Sequence, residues 1–234
     1  MKSPILITGC ARSGTSMVAG IINICGAFGG VMSGPNRNNQ KGMFENVAIR
    51  QRMTKPYLHS IGVDPLGQYP LADTNSLPIP RDWKDRVEEI MIREGLQEDQ
   101  PWMVKEAKMS FTWPIWHYAY PNAKWIIVRR KTPDIIRSCM RTAFMNAFRR
   151  EENQAAVEAK DEYDGWMWWV HQHEAQFKEM LYAGLNVKQI WPERMVSRDY
   201  GQTEEMIEWL GLEWNDEIFG FIEPKLWKAR QKVG

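Results

Sequence analysis

Gly9-Cys10-Ala11-Arg12-Ser13-Gly14-Thr15-Ser16 sets glycines, hydroxyls and one cation between an apolar run and a helical pattern. Residues of these types at this spacing hold an anion. The glycines let backbone N–H groups turn inward, the following helix adds the positive end of its dipole, and Ser13, Thr15 and Ser16 add hydroxyl donors. The spacing nearly matches the G-x-x-x-x-G-K-[ST] loop of nucleoside triphosphatases. Thr15, however, stands where that loop has its lysine, and the cation has moved inside the loop to Arg12. A triphosphatase also needs an acidic strand end to hold magnesium. Here the two candidate strand ends are cationic, Lys105 after WMV and Arg129-Arg130-Lys131 after KWIIV. The set suits an anion held without a metal.

Four blocks of sequence resemble the sulfotransferases that use 3′-phosphoadenosine 5′-phosphosulfate (PAPS). PILITGCARSGTS resembles their 5′-phosphosulfate loop, which in the bacterial and Golgi-type branches reads G-x-x-R-[SG]-G-T-[TS]. WIIVRRKTPDIIRS resembles their 3′-phosphate motif, a strand ending in Arg followed by a helix whose Ser lies eight residues on. Arg130 and Ser138 have that spacing, Arg129 is offset by one, and Pro133 falls a residue late. NQKGMFEN resembles N-x-K-G-[YF]-[WF]-E, and WMVKEAKMS resembles W-x-x-K-[DE]-P-[RK] with Ala107 in place of the proline. The blocks keep the family order over residues 4–142. Further on, YGQTEEMIEWLGL resembles a C-terminal helix of the family without its proline, and Arg230 and Lys232 resemble its basic C-terminal loop.

The resemblance implies PAPS as sulfuryl donor, 3′-phosphoadenosine 5′-phosphate (PAP) as product, no metal, and a hydroxyl or amine on the acceptor. It implies that Ala11, Arg12, Ser13, Gly14, Thr15 and Ser16 hold the 5′-phosphosulfate, and Arg130 with Ser138 the 3′-phosphate. Glu45 stands where the related segment carries an acidic residue facing the cofactor, which makes it the candidate base. Arg12 and Lys105 are the candidate cations for charge developing during transfer. His59, His117, His171 and His173 are rival bases, all outside the aligned segments. Arg137 and Arg141 share a predicted helix with Ser138 and add to the positive field or pair with acids. Two other readings stay open: a small-molecule kinase with an unusual phosphate loop, and an inactive module that binds PAP or another nucleotide. The acceptor class is open among small molecule, carbohydrate, lipid and peptide, because variable loops build acceptor grooves.

These residues need a frame that brings strand ends together. Apolar runs predict strands over 4–8, 102–105, 124–128 and 187–191, and helical spacing predicts helices over 15–25, 45–60, 81–94, 111–119, 132–148, 163–181 and 203–210. Pro114 fits the first turn of its helix, and Gly211 closes the last one. Residues 29–44 read as an exposed loop, and proline-rich 62–81 as an irregular surface stretch and candidate lid. Trp166, Trp168 and Trp169 read as core, with an aromatic wall for acceptor or adenine as the alternative. Strands alternating with helices predict an α/β fold: one three-layer domain over 1–234, with a mostly parallel sheet and helices on both faces. The chain has 234 residues, 44% hydrophobic and 25% charged, which is ordinary for a globular protein. Thirty Lys+Arg against 29 Asp+Glu argue against a dedicated nucleic-acid binder. No apolar run reaches the roughly 18 residues of a membrane span. Cys10, Cys25 and Cys139 form neither a disulfide framework nor a zinc pattern, so the expected setting is reducing and cytoplasmic.

Overall fold

Ile-Leu-Ile-Thr-Gly is apolar on both faces of a strand, and in the computed structural model, which describes residues 1–227, it becomes an inner strand, β1 (Ile5–Gly9). Arg230 and Lys232 lie outside the described residues. With β2 (Met103–Lys105), β3 (Lys124–Val128) and β4 (Asn186–Ile190), β1 forms an all-parallel sheet in the order β2-β1-β3-β4. Side chains alternate between faces. Ile5, Ile7, Ile126, Val128 and Ile190 enter one core, while Leu6, Val104, Trp125 and Ile127 enter the other. Burial on both faces is why these strands read as continuous apolar runs.

The helices follow in chain order. α1 (Thr15–Ile24) leaves the loop after β1. Asn46 Oδ1 caps α2 (Val47–Ile49), which runs through a π-helical stretch, Arg50–Thr54, into α3 (Lys55–Ser60). α4 (Trp83–Arg93), α5 (Met109–Ala119), α6 (Thr132–Met140), α7 (Glu151–Ala156) and α8 (Glu162–Tyr182) come next. α9 (Pro192–Val196), α10 (Gly201–Leu210) and α11 (Glu217–Phe221) complete the set. α1, α10 and α11 cover the first face of the sheet, and α4, α5, α6 and α8 the second. The three-layer α/β arrangement is the expected one.

Several elements differ from their sequence expectation. α6 ends at Met140 rather than 148. Thr142 Oγ1 donates to Ser138 O at 2.7 Å, and Gln68 Oε1 draws the N–H groups of Asn146 and Ala147 at 2.9 and 3.1 Å, which turns the chain away. Pro114 lies inside α5, where Thr112 leaves helical geometry (φ −119°). Residues 62–81 are irregular, as expected, and their middle is tied to the core. Trp169 Nε1 donates to Gly67 O at 3.0 Å and Gln68 is buried. Trp166 and Trp169 are core, and Trp168 packs on Tyr69 and Phe148. Among the described residues no helix is long and apolar enough to cross a membrane.

Gly9 marks where β1 must pass β3 without a side chain. A Cβ there would lie 2.5 Å from Val128 O and 2.9 Å from Ser13 Oγ, at a φ of +157°. Neither neighbour is the free end of a long chain. Gly9→Ala is expected to lower unfolding free energy by roughly 2–4 kcal/mol, combining backbone strain and overpacking. Urea denaturation measures it, and an unchanged midpoint would show that the loop has slack.

Candidate functional site

Parallel strands all end on the same edge of a sheet, so Gly9, Lys105 and Val128 finish together. The chain goes from β1 to β2 on one side and then returns to β3 on the other. The carboxyl end of β1 is therefore the switch point at which open α/β sheets hold ligands. A cleft of about 660 Å³ opens there. Ala11, Arg12, Gly14, Thr15, Ser16, Glu45, Lys105, Arg130 and Ser138 line it, which brings all but one of the sequence candidates to one place. The exception, Ser13, is fully buried beneath the loop.

The loop is held by its own cations. Arg12 adopts a left-handed φ of 72°. Its Nε donates to Ser138 Oγ at 3.1 Å, and Arg130 donates to its carbonyl at 2.7 Å. The loop after β1 and the segment after β3, more than a hundred residues apart, are thus one hydrogen-bonded unit. Gly14 (φ 102°) turns the chain into α1, and a Cβ there would meet Pro192 and Trp227 at 3.0 Å. In the first turn of α1, Met17 N–H bonds to Gly14 O at 3.0 Å, while Thr15 and Ser16, whose N–H groups have no i−4 carbonyl in the helix, line the cleft. Ser13 Oγ and Arg130 Nε are buried without a partner among the described residues. Burial pulls both guanidiniums, Arg12 and Arg130, down from their ordinary value, and both stay cationic at neutral pH. The Arg130 guanidinium lies 4.1 Å from the Trp227 ring centroid.

Glu45 is not a first-turn helix residue. Asn46 takes the cap and leaves Glu45 just outside, facing inward. Its Oε1 accepts from Lys105 Nζ at 2.9 Å and its Oε2 from Arg50 at 3.0 Å. Lys105 also donates to Met43 O at 3.2 Å, as does Ser16 Oγ, which pins the end of the 29–44 loop. Burial alone would raise the Glu45 carboxyl. Lys105, Lys108 and Arg50 outweigh it and hold the group at about 2. Lys108, itself buried, pairs with Glu106 at 2.6 Å.

The rival residues lie elsewhere. None of the four histidines lines the cleft. His173 sits between Phe111 and Trp169, accepts or donates at 2.8 Å with Ser110 Oγ, and is pushed down to about 3 by burial, so it is neutral. Arg129 pairs with Glu174 and Gln189 between Phe177 and Trp191. Arg137 pairs with Asp134 on the surface, whereas Arg141 lines the cleft. Sequence reasoning missed Arg50, Lys55, Lys108 and Trp227. Arg50 and Lys55 lie about 140° apart on an α-helix. The π-helical stretch, in which Lys55 N–H bonds to Arg50 O, brings i and i+5 one above the other. Among the described residues no three His, Cys, Asp or Glu side chains converge as metal ligands would.

A family model described as "Sulfotransferase family" matches residues 4–216. A search of the curated proteins gives no match. Solved structures share the fold at low identity. The sulfotransferase domain from the Synechococcus PCC 7002 olefin synthase is 12% identical with a TM-score of 0.55, over 100% of this chain and 91% of that one. A sulfotransferase from Alicyclobacillus acidocaldarius is 17% identical with a TM-score of 0.53, over 97% and 88%. One from Mycobacterium avium is 13% identical with a TM-score of 0.52, over 100% and 69%.

The buried pairing of Glu45 sets a pH dependence. Its folded value is below the unfolded one, so its stabilisation is present above about 4.5 and is lost as pH falls towards about 2. Glu45→Gln strands buried Lys105 and half-buried Arg50 and is expected to cost about 3–5 kcal/mol at pH 7. The gap between wild type and variant should narrow through that acid window. Denaturation at several pH values measures it, and a gap independent of pH would contradict the pairing.

Proposed function

The chain belongs to the sulfotransferase family, and on that premise we propose that it moves a sulfuryl group from PAPS to an acceptor hydroxyl, releasing PAP. The observation that carries this reading is the bonded unit of Arg12, Ser138 and Arg130, which joins a 5′-phosphosulfate loop to a 3′-phosphate pair in one cleft. The residues fit the donor. Arg130, which lines the cleft, has its buried Nε without a partner among the described residues, and a bound polyanion would satisfy it. Arg12, the loop N–H groups and the α1 dipole would take the 5′ side, with Arg130 and Ser138 on the 3′ side. When bound, PAPS supplies a sulfuryl group activated by its link to a phosphate. The three free, buried thiols support a reducing, cytoplasmic setting.

Glu45 and Lys105 divide the chemistry between them. Lys105 Nζ neutralises the charge that develops on the leaving oxygen, and a Glu45 oxygen accepts the proton of the acceptor hydroxyl as its oxygen bonds to sulfur. The two roles are coupled. While Lys105 bonds Glu45, the carboxyl is held low and is a weak base. As Lys105 turns to the leaving oxygen, burial of Glu45 is less opposed and the carboxyl gains basicity. Proton uptake thus becomes favourable as the charge moves.

The protein should bind PAP in EDTA. At a hundredfold excess over Kd, linkage gives about 2.7 kcal/mol, or roughly 5–10 °C in Tm for a chain of this length. No shift at millimolar PAP, with a clear one from ATP and magnesium, would favour a kinase instead. Arg130→Ala should weaken PAP about tenfold or more, the scale of one charge-assisted hydrogen bond, while binding of adenosine 5′-phosphosulfate changes less. Equal losses would refute the 3′ assignment. Glu45→Gln, checked for folding by its Tm, should lose roughly 10²–10⁴ in turnover with PAP affinity little changed. Near-normal turnover would remove Glu45 from the chemical step.

A further inference from the structure

The cations of the cleft fall into two groups. Arg12, Arg130 and Arg141 act on one another at the phosphate loop. Arg50, Lys55, Lys105 and Lys108 form the second group, together with Glu45 and Glu106. The second group is under-compensated, because four cations share two carboxylates. Glu45 serves Lys105 and Arg50, and Glu106 serves Lys108. Lys55 lines the cleft and has no ion pair among the described residues. Arg50 Nε is buried with no hydrogen-bond partner. Like charges with unused donors in a partly dry cleft are costly unless an anion completes them.

Apolar surface adjoins this group. Leu66 and Phe144 line the same cleft and are among the exposed large hydrophobic residues, at 51% and 37%. The strap that carries Leu66 lies on the Lys108 stem, for a Cβ at Gly67 would come within 2.6 Å of Lys108 Cγ. Gln68 ties that strap to Phe144 O at 2.8 Å. A cationic floor and an apolar wall therefore meet at Lys108.

We propose that Arg50, Lys55 and Lys108 form an anion subsite for the acceptor, whose class is an anionic amphiphile. Besides its reactive hydroxyl the acceptor carries a carboxylate, sulfate or phosphate held by these cations, and an apolar part against Leu66 and Phe144. The proposal rests on the sulfotransferase reading for the contents of the other half of the cleft, and it adds the acceptor's chemical class.

The test compares octyl β-D-glucuronide with octyl β-D-glucoside, below their micelle concentrations, on PAP-loaded protein by titration calorimetry. The probes share the chain and the secondary ring hydroxyls and differ only at C6, a carboxylate in the glucuronide and a hydroxymethyl in the glucoside. The glucuronide should bind about tenfold or more tightly, the scale of one charge-assisted hydrogen bond. Lys55→Met, which keeps the apolar stem, should reduce that preference to within about threefold, and Lys55→Arg should retain it. Equal binding of the two probes, binding of neither, or a preference that survives Lys55→Met overturns the proposal. PAP affinity is read on the same samples. Absence of PAP binding beside an intact glucuronide preference would refute the donor assignment and leave the anion subsite standing.

Discussion

Arg12 is a non-glycine residue held at φ 72°, a conformation that costs roughly 1–2 kcal/mol. Its carbonyl accepts from Arg130, and its side chain donates to Ser138. Those contacts run from the loop after β1 to the strand end and helix after β3, so the loop shape depends on the neighbouring strand. The left-handed turn is what lets the loop wrap inwards before Gly14 sends the chain into α1. Strain of this kind persists only where the surroundings over-determine it. Here the surroundings are the Arg130 guanidinium and the Ser138 hydroxyl, which on the proposed reading a bound anion would also use, so filling the cleft and holding the loop would draw on the same groups.

The second constraint is electrostatic. Glu45, Lys105, Lys108 and Glu106 are all buried. Desolvation of four charges costs several kcal/mol per ion before pairing returns it. Two close ion pairs and the added Arg50 contact offset that cost without neutralising the group. An apolar replacement of similar volume would often fold as well or better. The arrangement makes sense as a site for a charge that arrives from outside. The aromatic core behind it supplies rigidity: Trp166, Trp169, Phe148 and Phe177 are fully buried and share one core with α5, which Lys108 precedes, and α6, which carries Ser138.

Much of this was legible in the sequence. The alternation of apolar runs and helical patterns gives the α/β layering because two-sided burial leaves a periodic trace. The loop residues 11–16, Lys105 and the Arg129–Lys131 run were readable as a cationic set because strand ends of a parallel sheet must converge, whereas the choice of Arg130 and Ser138 came from the family resemblance. The inward turn of Glu45 was less readable, since it depends on Asn46 taking the helix cap. Arg50 and Lys55 were hidden by the period itself: α-helical spacing separates them, and only the π-helical stretch aligns them. The early end of α6 depends on Gln68, which arrives from a segment more than seventy residues away. Trp227 has no local signature, because its role comes from lying over Arg130.

α1 and α11 face each other across the first core, with Ile21 and Ile22 against Ile218 and Ile222. The two helices are separated by nearly the whole chain. During biosynthesis α1 leaves the ribosome about 200 residues before α11, so its apolar face has no α11 to meet over that interval. At roughly 5–20 residues per second that interval is some 10–40 s. β1 likewise waits for both of its neighbours, since β2 and β3 follow by about a hundred residues. The Gly9–Ser16 loop sits between these two waiting elements. The nascent chain therefore carries the Gly9–Ser16 loop unfinished while these partners are made, and the apolar face of α1 is a surface that needs shielding from aggregation over that interval.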